Sequence, residues 1–128
     1  MGILERVANE VAAAIGGVVD YVPEYELKDF QKEKRLVYPL ALEFSQVSRE
    51  RKEIIVSLEV GVFKRIREDE LPAMLEFMED TVQQLQNLAV FDGRGYNREV
   101  LNSPAYSMDA MAQAQVFASV LQVKYRIV

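Results

Sequence analysis

The chain has 128 residues, half of them hydrophobic, with a formal charge of −5 and neither cysteine nor histidine. That length fits one domain with a sizeable core. The two missing residue types exclude disulfides, thiolate zinc sites, cysteine nucleophiles and histidine acid–base or metal chemistry.

The acidic balance repels phosphate and so disfavours a reader of DNA sequence, without excluding a protein that only surrounds DNA. Residues 3–15 predict an amphipathic helix. Ile3, Leu4, Val7, Val11 and Ile15 recur at helical spacing, with Glu5, Arg6, Asn9 and Glu10 between them. Gly16–Gly17 supplies a left-handed stop. One arginine is too little basic charge for a membrane-surface helix, so the stripe reads as a core face. The chain holds no run of ~20 apolar residues long enough to span a bilayer. The charged start does not read as a secretory signal, and Arg6 stands where myristoylation wants a small hydroxyl. Cytoplasmic residence is the expectation.

Residues 18–35, "VVDYVPEYELKDFQKEKR", read as a connection, with room for an extended piece at 18–22 and a helical turn at 27–31. Residues 36–44, "LVYPLALEF", predict a strand with Leu36, Tyr38, Leu40, Leu42 and Phe44 on one side. Pro39 cannot donate to a ladder and points to an edge strand or a bulge. A polar link at 45–52 leads into "EIIVSLEVGVFKRI", 53–66. There Ile54, Val56, Leu58, Val60 and Val62 share one face, and Ile55, Ser57, Glu59, Gly61 and Phe63 the other. The two runs predict an antiparallel hairpin. At ~3.3 Å per residue the second strand would span roughly 46 Å, against ~17–20 Å for a typical strand, so it is expected to reach past the body of a small domain.

A helix is predicted over 69–89, with Asp69 as N-cap, Pro72 in the first turn and a stripe of Leu71, Leu75, Met78, Val82, Leu85 and Ala89. Residues 90–114 read as irregular, with turns at Asp92–Gly93 and Gly95. Residues 115–128 predict a second long strand. Phe117, Ser119, Leu121, Val123, Tyr125 and Ile127 form one face; the other turns polar at Gln122, Lys124 and Arg126. The predicted order is α–β–β–α–β in one domain. The expected fold class is α+β, an antiparallel sheet with helices packed on one face.

Few groupings suggest chemistry. Glu68–Asp69–Glu70 reads as a helix start rather than a metal site. Glu24, Glu26 and Asp29 lie among Lys28, Lys32 and Lys34, as on a solvated surface. "DGRG" at 92–95 follows a helix and matches neither a P-loop nor a dinucleotide fingerprint. No catalytic, metal or cofactor residues are therefore nominated, and the chain is not expected to be an enzyme. Ile55 and Phe63 share a face too apolar for free exposure and too polar for a clean core, which suits a subunit interface. Arg49, Arg51 and Arg65, with Lys52, Lys64 and Arg67, collect at the two ends of the long strand. They are candidates for charged contacts with a neighbouring subunit or with phosphates of passing DNA.

The succession "DYVPEYELKDF", "RLVYPLALEF", "SQVSRERKEIIVSLEVGVFKR", an acidic-capped helix and "FASVLQVKYRIV" resembles the tail terminator (tail-completion) proteins of long-tailed bacteriophages and prophages. The resemblance covers nearly the whole chain and rests on order and spacing. Its marks include an arginine near the hairpin link, here Arg49, and an aromatic–basic pair near the end, here Tyr125–Arg126. The sequence departs from many members at Pro39, where a β-branched residue is more usual. The resemblance implies a structural α+β subunit, without cofactor, that forms a ring, usually a hexamer. The ring caps the tail tube, joins a head-completion or connector protein, and lets DNA pass without reading it. It implies assembly in the host cytoplasm, then residence at the tail–neck junction of the virion. Another neck or minor tail component, such as a head-closure protein, is the nearest alternative. A small-molecule-binding α+β domain and a carboxylate-only enzyme are the others.

Overall fold

The run at 52–65 becomes the middle of a sheet. The structure, a computed structural model, describes residues 2–21 and 33–128. In chain order it holds α1 (Ile3–Ile15), β1 (Val18–Val19), β2 (Lys34–Gln46), β3 (Lys52–Arg65), α2 (Leu71–Asn87), β4 (Gly95–Leu101), α3 (Met108–Ala114) and β5 (Val116–Ile127). The sheet order is β1-β2-β3-β5-β4. Every pairing is antiparallel except the two-residue β1, which runs parallel to β2 at Leu36 and Val37. The helical turn expected at 27–31 and the acidic group Glu24, Glu26 and Asp29 lie outside the described residues.

Period-2 alternation dictates which residues of β3 point where. Val56, Leu58, Val60 and Val62 are fully buried on the face that α1 and α2 cover. From β5 the same face receives Phe117, Leu121, Val123, Tyr125 and Ile127, and from α1 it receives Val7, Ala8, Val11, Ala12 and Ile15. The α+β class and the predicted elements are therefore present. The expectation that 90–114 is irregular is corrected: it holds β4 and α3. α3 also adds a helix on the opposite face, where Ala110 packs with Phe63 and Val116, and with Ala118 and Val120 beside them. This explains the burial pattern of β5: both faces are covered from Val116 to Val120, but Gln122, Lys124 and Arg126 are exposed.

Two local features were misread from alternation alone. The face predicted for β2 is broken by a register shift between Pro39 and Ala41. Leu36 and Tyr38 therefore stand opposite Gly61 and Glu59, while Leu42 and Phe44 stand opposite Val56 and Ile54 on the helix-covered face. The extra residue, Leu40, is half-exposed. In α2 the buried line is Met74, Met78, Thr81 and Leu85, one step round from the predicted stripe. Thr81 can be buried there because its hydroxyl donates to the Phe77 carbonyl at 2.9 Å.

Side chains tie the helices to the sheet. The left-handed cap at Gly16, φ 70°, ends α1 as predicted. Arg35 of β2 then donates to the Ile15 carbonyl at 2.6 Å, and its guanidinium lies 4.7 Å from the centre of the Phe77 ring. A cation at the carbonyl end of α1 complements the helix dipole. The hydroxyl of Tyr125 donates to the Leu85 carbonyl at 2.9 Å, fixing β5 to the last turn of α2 inside the core. Burial pushes this phenol well above its ordinary pKa, so it keeps its proton and its donor role at every working pH. Tyr125→Phe removes this bond and leaves the Leu85 carbonyl with only the longer one from the Leu88 amide, 3.4 Å. Urea unfolding should show a loss of about 1–3 kcal/mol, with an unchanged far-UV CD spectrum.

Candidate assembly surface

Hydrogen bonding along the two sides of the sheet divides it into a closed half and an open half. Call the end at the β2–β3 turn the tip, and the end where β3 leads into α2 the base. On the β2 side, β1 covers Leu36 and Val37, and the Asp20 amide donates to the Val37 carbonyl at 2.9 Å. On the far side, β4 covers only the tip half of β5, from Gln122 to Ile127. The base half is closed by the loop after β4. There Asn102 Nδ2 donates to the Val120 carbonyl at 3.0 Å, and the Ser107 amide donates to the Ala118 carbonyl at 2.8 Å. Buried Ser119 completes this seam, donating to the Ala105 carbonyl at 2.6 Å and accepting from Asn102 at 3.0 Å.

Among the described residues no strand pairs with the outer edge of β2 past Tyr38, or with the outer edge of β4. Both open stretches lie in the tip half. Both carry apolar side chains in water: Leu40, Phe44 and Val47 at the β2 side, Tyr96 and Leu101 on β4, with Phe44 68 % exposed. The edges are also interrupted. Pro39 and the shift beside it break β2, and a second shift between Asn97 and Glu99 breaks β4. Such features limit indiscriminate strand addition.

The structure places the predicted contact residues as follows. Ile55 and Phe63 lie on the sheet face opposite α1 and α2, as the alternation said, but each is nearly covered within the single chain, at 4 % and 2 % exposure. α3 is the reason for Phe63: Ala110 and Val116 close over it. Phe63 also lies across Gly61, where an added Cβ would come within 2.4 Å of the ring. The open flank belongs to Leu40, Phe44 and Val47 instead. Arg49 and Arg51 are in the exposed turn at the tip, and Arg65 is at the base end of β3, so the three do not form one site. Arg51 does join a cluster that sequence reading did not assemble. With Glu53, Tyr96, Asn97, Arg98 and Arg126 it lines a surface recess of about 680 Å³. Glu53 Oε1 sits 3.1 Å from Arg126 Nε and 3.9 Å from Arg98 Nη1.

The expectation that β3 itself reaches past the body is corrected. Its residues 54–63 are paired on both sides, Lys64 and Arg65 with β5 alone, and only Lys52 and Glu53 run beyond the last β5 partner, Ile127. The overhang is the hairpin end, residues 45–53. The carboxylates at 68–70 form a short 3-10 turn ahead of α2, and the predicted N-cap is corrected: Asp69 lies inside that turn and Glu70 is the N-cap of α2. The Glu70 carboxylate accepts from the backbone amide and the guanidinium of Arg67, and the first of these, above all, holds its pKa below the ordinary value. A depressed carboxyl pKa helps the fold above the unfolded value and loses that help as pH falls through the folded value. Among the described residues no group of three or more acidic side chains could hold a metal ion, and no helix is long and apolar enough to cross a membrane.

The turn at 91–94 locks the tip half from below. Phe91, Asp92 and Gly93 all have positive φ, at 55°, 57° and 79°. Two of these are strained positions for side chains. α1 holds them: Glu10 accepts from the Phe91 amide at 2.9 Å, Arg6 pairs with Asp92 at 2.7 Å, and the Arg6 guanidinium lies 4.5 Å from the Phe91 ring centre. β4 therefore starts from a fixed point, and its open edge is a built feature.

No protein-family model and no curated protein sequence matches the chain. Among solved structures, the chain is similar to one in the virion of a native gene transfer agent particle. The TM-score is 0.49 and the identity 13%, over 98% of this chain and 93% of that one. A likeness this loose says nothing by itself about function.

Burial separates the two kinds of phenylalanine. Phe63→Ala should cost about 3–5 kcal/mol in chemical denaturation, because it empties the space under α3. Phe44→Ala should stay within about 0.5 kcal/mol of the parent as a monomer.

Proposed function

We propose that the protein is a structural component of a phage tail, a tail terminator that closes into a ring, caps the tail tube and offers the head its docking face. The observation that carries this reading is the open tip half. The chain closes both sides of its sheet at the base by specific hydrogen bonds, and among the described residues no strand pairs with the far edge of β4 or with β2 past Tyr38, where Leu40, Phe44, Val47, Tyr96 and Leu101 stand exposed. Exposed apolar groups concentrated in this way mark an interaction surface. The element order, with the hairpin link at Arg49 and the Tyr125–Arg126 pair on β5, agrees with the family pattern. The net negative charge suits a lumen that lets DNA slide. In this reading the chemistry is assembly: the ring, expected to be a hexamer, occupies the end of the tube and blocks the next addition. No catalytic step is assigned to it. Its partners are its own copies, the tube protein and a head-completion protein, and its place is the tail–neck junction.

A second reading, a small-molecule-binding domain, has one observation in its favour. Phe63, Pro104, Tyr106, Ala110, Ala118 and Val120 contribute to a largely apolar recess of about 390 Å³ beside α3, a size that admits a small ligand. That reading requires a chain that does its work as a monomer or dimer.

Light scattering across a concentration series should show a defined multi-subunit mass, either alone or on addition of tail tube protein. With tube protein present, the assembled tubes should be shorter than without it. Phe44→Glu should abolish both effects while leaving monomer stability within about 0.5 kcal/mol. A monomer at every concentration, with tube lengths unchanged, contradicts the reading.

A further inference from the structure

We propose that the arginine recess at the tip of one copy takes the acidic outer face of α2 of the next copy. The proposal rests on the ring reading and adds to it the charged contact that orients neighbours.

The recess holds Arg51, Glu53, Arg98 and Arg126 and opens on the sheet face away from α1 and α2. Its side chains bring three guanidiniums together with one carboxylate. That carboxylate, Glu53, is shared between Arg126 Nε at 3.1 Å and Arg98 Nη1 at 3.9 Å. Arg51 has no acidic partner among the described residues. The recess therefore carries a surplus of positive charge on a chain whose formal charge is −5. A guanidinium has five donors, and Glu53 occupies few of those that Arg98 and Arg126 offer. At 60 % and 45 % exposure both remain open to a second anion.

α2 supplies the complement. Its sequence, LPAMLEFMEDTVQQLQN, contains three carboxylates and neither lysine nor arginine. Glu76, Glu79 and Asp80 are all exposed. Glu79 and Asp80 stand three and four residues after Glu76, so each neighbours it on one helix face, about 5–6 Å away at Cβ. Among the described residues none of the three takes part in an ion pair. Guanidinium–carboxylate pairs are strong and geometrically selective.

The two surfaces lie on opposite sides of the sheet, because α2 packs on the core face. One copy cannot bring its own pair together. A contact between copies uses a different surface on each partner and leaves one of each kind unused. Such a contact is head-to-tail, and it closes into a ring where the rotation closes. The charged pairs orient the neighbours, since like charges brought together block the wrong pairing. Duplex phosphates are the less suited occupant. They would meet Glu53 inside the recess and the net negative charge of the chain around it.

Reversing the charges tests the contact. Arg51→Glu with Arg98→Glu changes the recess and keeps the Glu53–Arg126 pair. Glu76→Lys with Glu79→Lys changes the helix. Thermal unfolding confirms the fold of each variant. The neutral pair Arg51→Gln with Arg98→Gln puts no new carboxylate beside Glu53, and should weaken assembly in the same direction by a smaller factor. Assembly is followed by light scattering and native mass spectrometry, alone and on tail tube protein. Each reversed variant by itself should need at least about tenfold more protein for half-assembly. An equimolar mixture of the two should assemble near the parent's concentration, with both variants in equal numbers, because each then meets its opposite on both sides. Variants that assemble as the parent does, or a mixture no better than its components, overturn the contact. If the parent forms rings in that case, the ring reading stands and this contact alone falls. If the parent assembles neither alone nor on tube protein, both fall. A recess variant that assembles normally but binds a short DNA duplex less than the parent assigns the recess to phosphates, which also overturns the proposal.

Discussion

Everything in this molecule is arranged around β3. Its residues 54–63 are paired on both sides, to β2 and to β5, and its valines and Leu58 fill the core face beneath α1 and α2. A strand buried on both edges cannot itself recruit a partner. It hands that capacity outward, to whichever neighbours remain unpaired. The closure of the base by β1 and by the 102–107 loop then restricts the open backbone to the tip half. Edge strands left open in this way are a hazard for an isolated domain and a resource for an assembling one.

The position of the strained turn at 91–94 follows from the same arrangement. Among the described residues β4 has one strand neighbour, β5, and it draws rigidity from another source. α1 supplies it through Glu10 and Arg6, which hold the backbone of Phe91 and the side chain of Asp92. Sequence-distant elements thus fix the height of β4 relative to β2. A preformed edge lowers the ordering cost of association.

Much of the fold was legible in the sequence, because burial on two different surfaces leaves two different periods. The 3.6-residue stripe of residues 3–15 and the strict alternation of 53–66 and 115–128 gave α1, β3 and β5. The Asp92–Gly93 turn and the αL stop at Gly16 followed from their residues. β4 was hidden because the shift at Arg98 breaks its alternation and only one of its faces touches the core. α3 was hidden by its length, although Ser107 accepting from the Ala110 amide at 3.2 Å is an N-cap that the sequence announces. Pro39 signals an edge strand or a bulge; the structure has the bulge, with β1 outside β2, and the bulge reverses the facing of Leu42 and Phe44. Without α3 and the bulge, alternation has no means of telling a covered aromatic such as Phe63 from an exposed one such as Phe44.

Hydrogen exchange reads the state of the two edges directly. In dilute solution the amides of 40–46 and 95–101 that point away from the sheet should exchange quickly, while those of β3 stay protected. On concentration, or on addition of tail tube protein, the account predicts that both edge stretches become protected together and to a similar degree. Protection that appears elsewhere on the surface while both edges continue to exchange fast would contradict it.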